Sequence, residues 1–154
     1  MRRLYVVLTG LMMLSILAQF YFAAVGAFAK PQDDSSFAVH DVNGMMILPL
    51  LSIAATVVAL LARAPGRQVG LTIAPLGLVL VQVLIVELGR ALNGPDDATT
   101  PLSLAVLGLH AVNGLAIMAV AGLTMRGARA LLRPTGDNPA TAAHATSPSA
   151  GTSA

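Results

Sequence analysis

His40-Asp41-Val42-Asn43-Gly44 opens one long apolar segment of this chain, and His110-Ala111-Val112-Asn113-Gly114 opens another. Each of these segments follows an apolar stretch in which a glutamine, Gln19 or Gln82, comes seven positions before a glycine. The same pattern therefore occurs twice. It predicts two tandem copies of a helical hairpin, with one histidine at the matching position of each copy.

The composition predicts that most of the chain lies in lipid. Of its 154 residues 56% are hydrophobic and 10% are charged, and the mean hydropathy is +0.78. A soluble domain carries about 25% charged residues, which it needs to cover its surface. The absence of cysteine excludes disulfides, thiolate metal sites and covalent attachment of c-type haem. The basic residues form no dense patch, so nucleic acid is not an expected partner.

The apolar residues fall into four stretches, at residues 4–28, 37–61, 69–92 and 102–125. Each is longer than the roughly 20 residues that an α-helix needs to cross a bilayer. Because lipid offers the backbone no hydrogen-bond partners, we predict an all-α fold, a four-transmembrane-helix bundle built from two tandem hairpins. This single domain covers residues 1–133. Residues 134–154 are rich in Pro, Thr, Ala and Ser, and are expected to form a disordered cytoplasmic tail.

The charged residues between the stretches predict the orientation. One end of the bundle carries seven basic residues, Arg2, Arg3, Arg63, Arg67, Arg126, Arg129 and Arg133. The opposite end carries only Lys30 and Arg90, among several aspartates. The positive-inside rule then predicts a multi-pass protein of the bacterial plasma membrane with both termini in the cytoplasm. In this topology His40 and His110 lie at similar depth, near the outer edge of the membrane.

The two histidines are the candidate ligands of a cofactor. Parallel repeats are related by a pseudo-two-fold axis along the membrane normal, which places His40 opposite His110. A neutral imidazole on each of two facing helices is a common way for a helical bundle to hold b-type haem. The sequence therefore predicts a small integral membrane protein that binds haem b, with His40 and His110 as the ligands of the haem iron, for electron transfer or haem handling.

The residues that follow each histidine are expected to shape this site. Residues at positions i, i+3 and i+4 share a helix face, so Asn43 and Gly44 accompany His40 in the first copy. The second copy repeats the arrangement with Asn113 and Gly114. A glycine lets a neighbouring helix or a flat ring approach closely. The asparagine can bind a ring edge, a partner helix or the histidine, and helix packing is the alternative reading of both pairs.

Four further polar residues belong to the same half of the predicted bundle. Gln19 and Gln82 form the matching pair on the first and third helices, as cofactor contacts or as interhelical hydrogen bonds. Glu87 is an ionisable group inside an apolar stretch, which marks it as a functional candidate. Arg90 follows at i+3, where it can pair with Glu87 or with a haem propionate.

On these residues, over about residues 4–125, the chain resembles the haem-binding four-helix bundles of bacterial membrane cytochromes b. It is similar in outline to one half of a haem A synthase, in which histidines of the second and fourth helices face one site. It also looks like the small uncharacterised four-helix membrane proteins of actinobacteria. The glutamate-histidine-arginine signature of the synthase is missing, so the resemblance implies the binding architecture and not the synthase activity.

Two other functions remain open from the sequence. The first is a non-enzymatic accessory or assembly subunit, in which the histidines only lock the helix packing. The second is a small transporter or proton-coupled channel, which needs a continuous polar path across the membrane. The arginine-rich halves of the helices are expected to be apolar apart from Ser52, Thr56 and Thr124, which argues against such a path. No nucleophile–base constellation is visible. The expected partners are the lipid bilayer, a quinone or a redox protein, and a second copy of the chain.

Overall fold

The computed structural model describes residues 1–133, which contain four long helices. The helices are α1 (Arg2–Phe28), α2 (Ser35–Leu61), α3 (Gly66–Ala91) and α4 (Pro101–Ala130). Each is long and apolar enough to cross a membrane, so the prediction of an all-α, multi-pass membrane protein is confirmed. The helix α3 begins before the predicted residue 69, and α4 continues beyond the predicted residue 125. The predicted tail, residues 134–154, lies outside the described residues.

The four helices form a ring. The helix α1 packs against α2 and α4, and α3 packs against the same two helices, so that α2 and α4 face each other across a diagonal. Large apolar side chains cover the outward faces, as at Leu50, Leu84 and Leu115, which are all well exposed. Such a surface is stable against acyl chains and not against water, so the ring is in contact with the lipid bilayer.

An apolar layer crosses the middle of the bundle. It consists of Met12, Ile16, Leu48, Val79, Ile117 and Ala121, all nearly or fully buried. Every helix contributes at least one side chain, so the layer separates the two ends of the bundle. We call the end with the seven arginines the arginine-rich end and the opposite one the histidine end. Because lipid is as apolar as this layer, close packing and not water exclusion holds it together.

A buried polar cluster lies at the arginine-rich end. Gln68 Nε2 donates hydrogen bonds to Tyr5 Oη (2.9 Å) and to the carbonyl of Thr124 (2.7 Å). The hydroxyls of Tyr5 and Thr72 are 2.6 Å apart, and the Thr72 hydroxyl donates to the carbonyl of Gln68. Tyr5 is therefore the donor to Thr72. The expectation that this half is apolar apart from Ser52, Thr56 and Thr124 is wrong, because Tyr5, Thr9, Gln68 and Thr72 are also buried here.

Two prolines interrupt the backbone hydrogen bonds inside the helices. Proline lacks an N–H group and clashes with the carbonyl four residues earlier. In α2 a single π-helical turn, Asn43–Ile47, directly precedes the turn that contains Pro49, and this wider turn accommodates the ring. In α3 Pro75 leaves the carbonyl of Leu71 without its helical partner, and the Thr124 hydroxyl donates to that carbonyl at 2.9 Å. Both helices therefore continue through their prolines.

Side-chain caps fix the starts of α2 and α4. Asp33 precedes α2 and accepts the backbone N–H of Ser36, whose hydroxyl accepts the N–H of Asp33. Thr100 and Ser103 form the same reciprocal pair before α4. A hydrogen bond from the Ser35 hydroxyl is the main reason why the pKa of the Asp33 carboxyl lies below its ordinary value. These caps satisfy N–H groups that the helices leave free.

Candidate functional site

A cavity of about 450 Å³ opens at the histidine end, between all four helices. Its floor is the apolar layer, since Ile16, Leu48, Val79 and Ile117 belong to both. Its volume lies within the range of about 300–1,000 Å³ that is typical of small-molecule sites. Its walls are largely apolar. The few polar groups among them are therefore the chemically informative part of the cavity.

Eight of the ten residues predicted for the site line this cavity, namely Gln19, His40, Gly44, Gln82, Glu87, Arg90, His110 and Gly114. The remaining two, Asn43 and Asn113, lie behind the wall and contact the glutamines. The structure thus brings together side chains from all four helices.

His40 and His110 face each other across the cavity. The centroids of their imidazole rings are 6.1 Å apart, and the ring planes are inclined by 42°. They project from α2 and α4, the diagonal pair of the ring, and both are partly buried. The structure thus brings the two predicted histidines together at one end of the ring of helices.

A network of side-chain amides ties α2 to α1 beside the first histidine. Gln19 Nε2 donates to the backbone carbonyl of His40 at 2.9 Å. Asn43 Nδ2 donates to Gln19 Oε1 at 2.6 Å and to the carbonyl of Ser15 at 2.9 Å. The Ser15 hydroxyl donates in turn to Asn43 Oδ1. Asn43 is buried and fully bonded, so its role is to lock α2 onto α1. Ser15 lies four residues before Gln19 on the same face, but the sequence repeat did not mark it.

The second hairpin repeats this network. Gln82 Nε2 donates to the backbone carbonyl of His110 at 2.7 Å. Asn113 Nδ2 donates to Gln82 Oε1 and, at 2.9 Å, to the carbonyl of Leu78, which lies four residues before Gln82. Leu78 stands in the place of Ser15, so the second copy lacks the extra hydroxyl. Each glutamine therefore donates its hydrogen bond to the backbone of the helix that carries the histidine, and not to a group inside the cavity.

The imidazole rings themselves are held unequally. His40 Nδ1 lies 3.1 Å from the backbone carbonyl of Gln19, and the edge of the Phe37 ring packs against the His40 ring with centroids 6.5 Å apart. His110 Nδ1 is buried and has no hydrogen-bond partner within residues 1–133. The sequence repeat predicts neither the Phe37 contact nor the difference between the two Nδ1 atoms, because the two histidines occupy equivalent positions in it.

The glycines allow close approach of helices. A Cβ atom on Gly44 would lie 2.5 Å from Gln19 Nε2, so the absence of a side chain makes room for the Gln19 amide. A Cβ atom on Gly114 would lie 3.4 Å from the ring of Phe20, which is a tight but ordinary contact. Gly44 is therefore required by the hydrogen-bonding of Gln19, whereas Gly114 tolerates a small side chain.

Glu87 and Arg90 lie at the mouth of the cavity. Arg90 Nη1 is 3.4 Å from Glu87 Oε1. Both side chains are well exposed, that of Glu87 by 62% and that of Arg90 by 67%. An exposed pair of this kind contributes at most about 1 kcal/mol to stability. Glu87 makes no hydrogen bond to either histidine. The guanidinium is thus available to an anionic group that enters the cavity.

The donor set limits the metals that the cavity can hold. Within the described part of the chain no group of three or more His, Cys, Asp or Glu side chains is placed to bind one ion. A structural or catalytic zinc site uses three or four protein ligands, which this site does not supply. The two imidazoles therefore leave the other coordination positions of most metals to ligands from outside the described residues.

The fold and the cavity define a small multi-pass membrane protein with a polar site at one end of its helix ring. Residues 19–89 match the model of a family of unknown function, DUF6220. This match begins at Gln19 and ends at Gly89, so it contains His40 but not His110. Comparison with curated proteins and with solved structures gives no match. The chemistry of the site is therefore argued from its own residues.

Proposed function

We propose that the protein is a b-type haem protein of the bacterial membrane in which His40 and His110 would hold the haem iron. The observation that carries the proposal is the separation of 6.1 Å between the ring centroids. Two metal–imidazole bonds of about 2 Å each, with the radii of the two rings added, give a centroid separation of about 6 Å. The separation of the rings is therefore compatible with one iron between them.

The donor set and the walls also favour haem over a bare ion. Haem would bring with it the further metal ligands that the two histidines do not supply. The apolar walls suit the macrocycle, and Arg90 at the mouth suits a carboxylate of its edge, since guanidinium–carboxylate pairs are strong when bidentate. When bound, haem supplies one-electron chemistry.

The residues of the chain orient the site and exclude water. Gln19 and Gln82 fix the backbone carbonyls of His40 and His110, which sets the direction of each imidazole. The apolar layer closes the floor, so that water reaches the site only from the histidine end. Exchange of electrons with a quinone or a redox protein would then take place at that end, beside Glu87 and Arg90.

The proposal includes an internal duplication, which would make the two ligands equivalent by descent. Its support is that buried positions of α1 and α3 recur 63 residues apart, as Tyr5 and Gln68, Thr9 and Thr72, Met12 and Pro75, Ile16 and Val79, and Gly26 and Gly89. The contacts recur as well. A Cβ atom on Gly26 would meet the Phe37 side chain, and one on Gly89 would meet the Leu107 side chain.

An optical spectrum of the detergent-purified protein, expressed with ample haem, tests the proposal. We expect a Soret peak, and a sharp α-band after reduction with dithionite. Both bands should vanish in the His40→Ala/His110→Ala double variant, while far-UV circular dichroism retains the helices. A folded wild-type protein without a chromophore would contradict the proposal. The control is Leu84→Ala, at an exposed position of α3 outside the cavity wall, which should keep both bands.

A second candidate is a non-enzymatic accessory or assembly subunit, in which the polar pairs serve only the packing. It is favoured by one observation: the amides of Gln19, Asn43, Gln82 and Asn113 are all engaged in contacts between helices. It predicts that the double histidine variant melts at a lower temperature than a wild-type protein that is itself colourless. The same spectra and melting curves therefore separate the two candidates.

A further inference from the structure

The two histidines differ in the support of their second ring nitrogen. His40 Nδ1 is within hydrogen-bond distance of the Gln19 carbonyl, so Nδ1 is the donor and Nε2 is the nitrogen that remains free to bind. His110 Nδ1 has no such partner among residues 1–133, although the atom is buried. The amide networks of the two hairpins differ only by the Ser15 hydroxyl, which does not contact either ring, so the rings themselves carry this second difference.

This difference has a known effect on metal ligation. A histidine that donates its second N–H to a carbonyl is fixed in tautomer and orientation and becomes a more basic ligand. Loss of such a partner typically lowers metal affinity by about 10–100-fold. The Phe37 ring adds a packing contact on the His40 side.

We infer that His40 is the permanent ligand of the proposed haem and that His110 is the exchangeable one. The site then takes one small neutral molecule, of the class of diatomic gases, in place of the His110 ring. Only a coordination bond is exchanged, and no electron is transferred. This inference rests on the proposed function and adds to it a ligand class and a division of roles.

Carbon monoxide is the probe for this division. We expect the reduced wild-type protein to bind CO with a shift of its Soret peak, and His110→Ala to keep haem and bind CO at least tenfold more tightly. His40→Ala, the matched variant, should lose haem at least tenfold more readily than His110→Ala. Added imidazole should restore the wild-type spectrum of His110→Ala by replacing the missing ring. Circular dichroism of each variant checks that the helices are intact.

The outcomes distinguish the inference from the function on which it rests. A haem-containing wild-type protein that does not bind CO would overturn the inference and leave the haem site in place. Equal haem losses in His40→Ala and His110→Ala would overturn it as well. A wild-type protein that binds no haem would overturn the proposed function itself.

A second inference concerns the π-helical turn of α2 and does not depend on haem. Before this turn, positions of like burial in α2 and α4 are 70 residues apart, as are His40 and His110. After it they are 69 residues apart: Leu48 and Ile117, Ser52 and Ala121, Ala55 and Thr124, and Ala59 and Ala128. The helix α4 has no such turn. The geometry points to one inserted residue in α2 that has no counterpart in α4. The π-helical turn accommodates this residue, so the buried face of α2 keeps the same orientation before and after the turn.

Single-residue deletions test this inference. Deletion of Met46 in a Pro49→Ala background should convert the π-helical turn to regular α-helix. The buried residues of α2 that follow the turn should still face the core. We expect a melting temperature within about 4 °C of that of Pro49→Ala alone, a change of about 1 kcal/mol or less for a chain of this size. Deletion of Ala116, the matched position of α4, should abolish cooperative unfolding, because it turns Ile117 and Ala121 away from the core. Equal damage by the two deletions would overturn the inference.

Discussion

Asn43 and Asn113 each join a histidine-bearing helix to its neighbour through a glutamine. Asn43 is buried and takes part in three hydrogen bonds, whereas Asn113 is less buried and takes part in two. Interhelical hydrogen bonds in membranes are worth about 0.6 kcal/mol on average and up to about 1.7. The contribution of interhelical asparagine hydrogen bonds to stability can therefore be measured at two positions of the same molecule.

We expect Asn43→Ala to lower the free energy of unfolding by about 2 kcal/mol and Asn113→Ala by about 1 kcal/mol, in proportion to the bonds lost. Unfolding in mixed micelles of detergent and sodium dodecyl sulfate measures both values. Val112→Ala, at an exposed position of α4, is the control and should change little. A larger loss for Asn113→Ala than for Asn43→Ala would contradict the assignment.

At this scale the sequence repeat selected the right side chains but not their partners. Gln19 and Gln82 were predicted because they recur, and the structure places both in the cavity wall. Their amides bind the backbone carbonyls of His40 and His110. Every residue has such a carbonyl, so the sequence carries no signal that would identify it as the acceptor.

The turn that ends α2 holds an arginine in a backbone conformation that favours glycine. Arg63 has a φ of 55°, in the left-handed region that favours glycine. The N–H of Ala64 donates to the carbonyl of Ala59, and the N–H of Arg63 donates to the carbonyl of Leu60. These two bonds form a Schellman motif, whose left-handed position is usually occupied by glycine.

We therefore expect Arg63→Gly to raise the free energy of unfolding by about 1 kcal/mol, because it removes the left-handed penalty of a side chain. Arg67→Gly is the matched control, since it removes the same charge from the first turn of α3 and relieves no left-handed strain, so it should not give this gain. Thermal melting in detergent measures both shifts. A loss of stability in Arg63→Gly would show that the arginine contacts outweigh the backbone strain.

At the scale of elements, the sequence predicted the existence and number of the spans better than their internal detail. Spans of lipid-facing helix are apolar on almost every face, so the one-residue shift at Asn43–Ile47 leaves no break in the hydrophobic pattern. Gln68 was excluded from its helix because polar residues end an apolar stretch. The structure shows it buried and bonded to Tyr5, a partner 63 positions away.

The distribution of charge over the whole molecule predicts its sidedness. The guanidinium of Arg2 donates to the carbonyl of Leu131, so the first and last helices bring their arginines to one end. Lys30 and the aspartates occupy the other end. We propose that the arginine-rich end faces the cytoplasm, as the positive-inside rule requires.

The absence of cysteine allows this orientation to be tested by labelling. Ala98→Cys places a thiol in the exposed connection between α3 and α4, and Gly66→Cys places one at the opposite end. In intact cells a membrane-impermeant maleimide should label Ala98→Cys and not Gly66→Cys. After permeabilisation both should react. The reverse pattern in intact cells would refute the proposed orientation.

The apolar layer has an electrical consequence for the site. Moving one elementary charge across the whole membrane requires about 2.3 kcal/mol for every 100 mV. His40 and His110 lie on one side of the layer formed by residues such as Met12 and Ile117. A charge that reaches them from the histidine end does not cross that insulating layer. A charge transfer at the two imidazoles would therefore cross only the part of the membrane on the histidine side of the layer, and its equilibrium would depend on only part of the membrane potential.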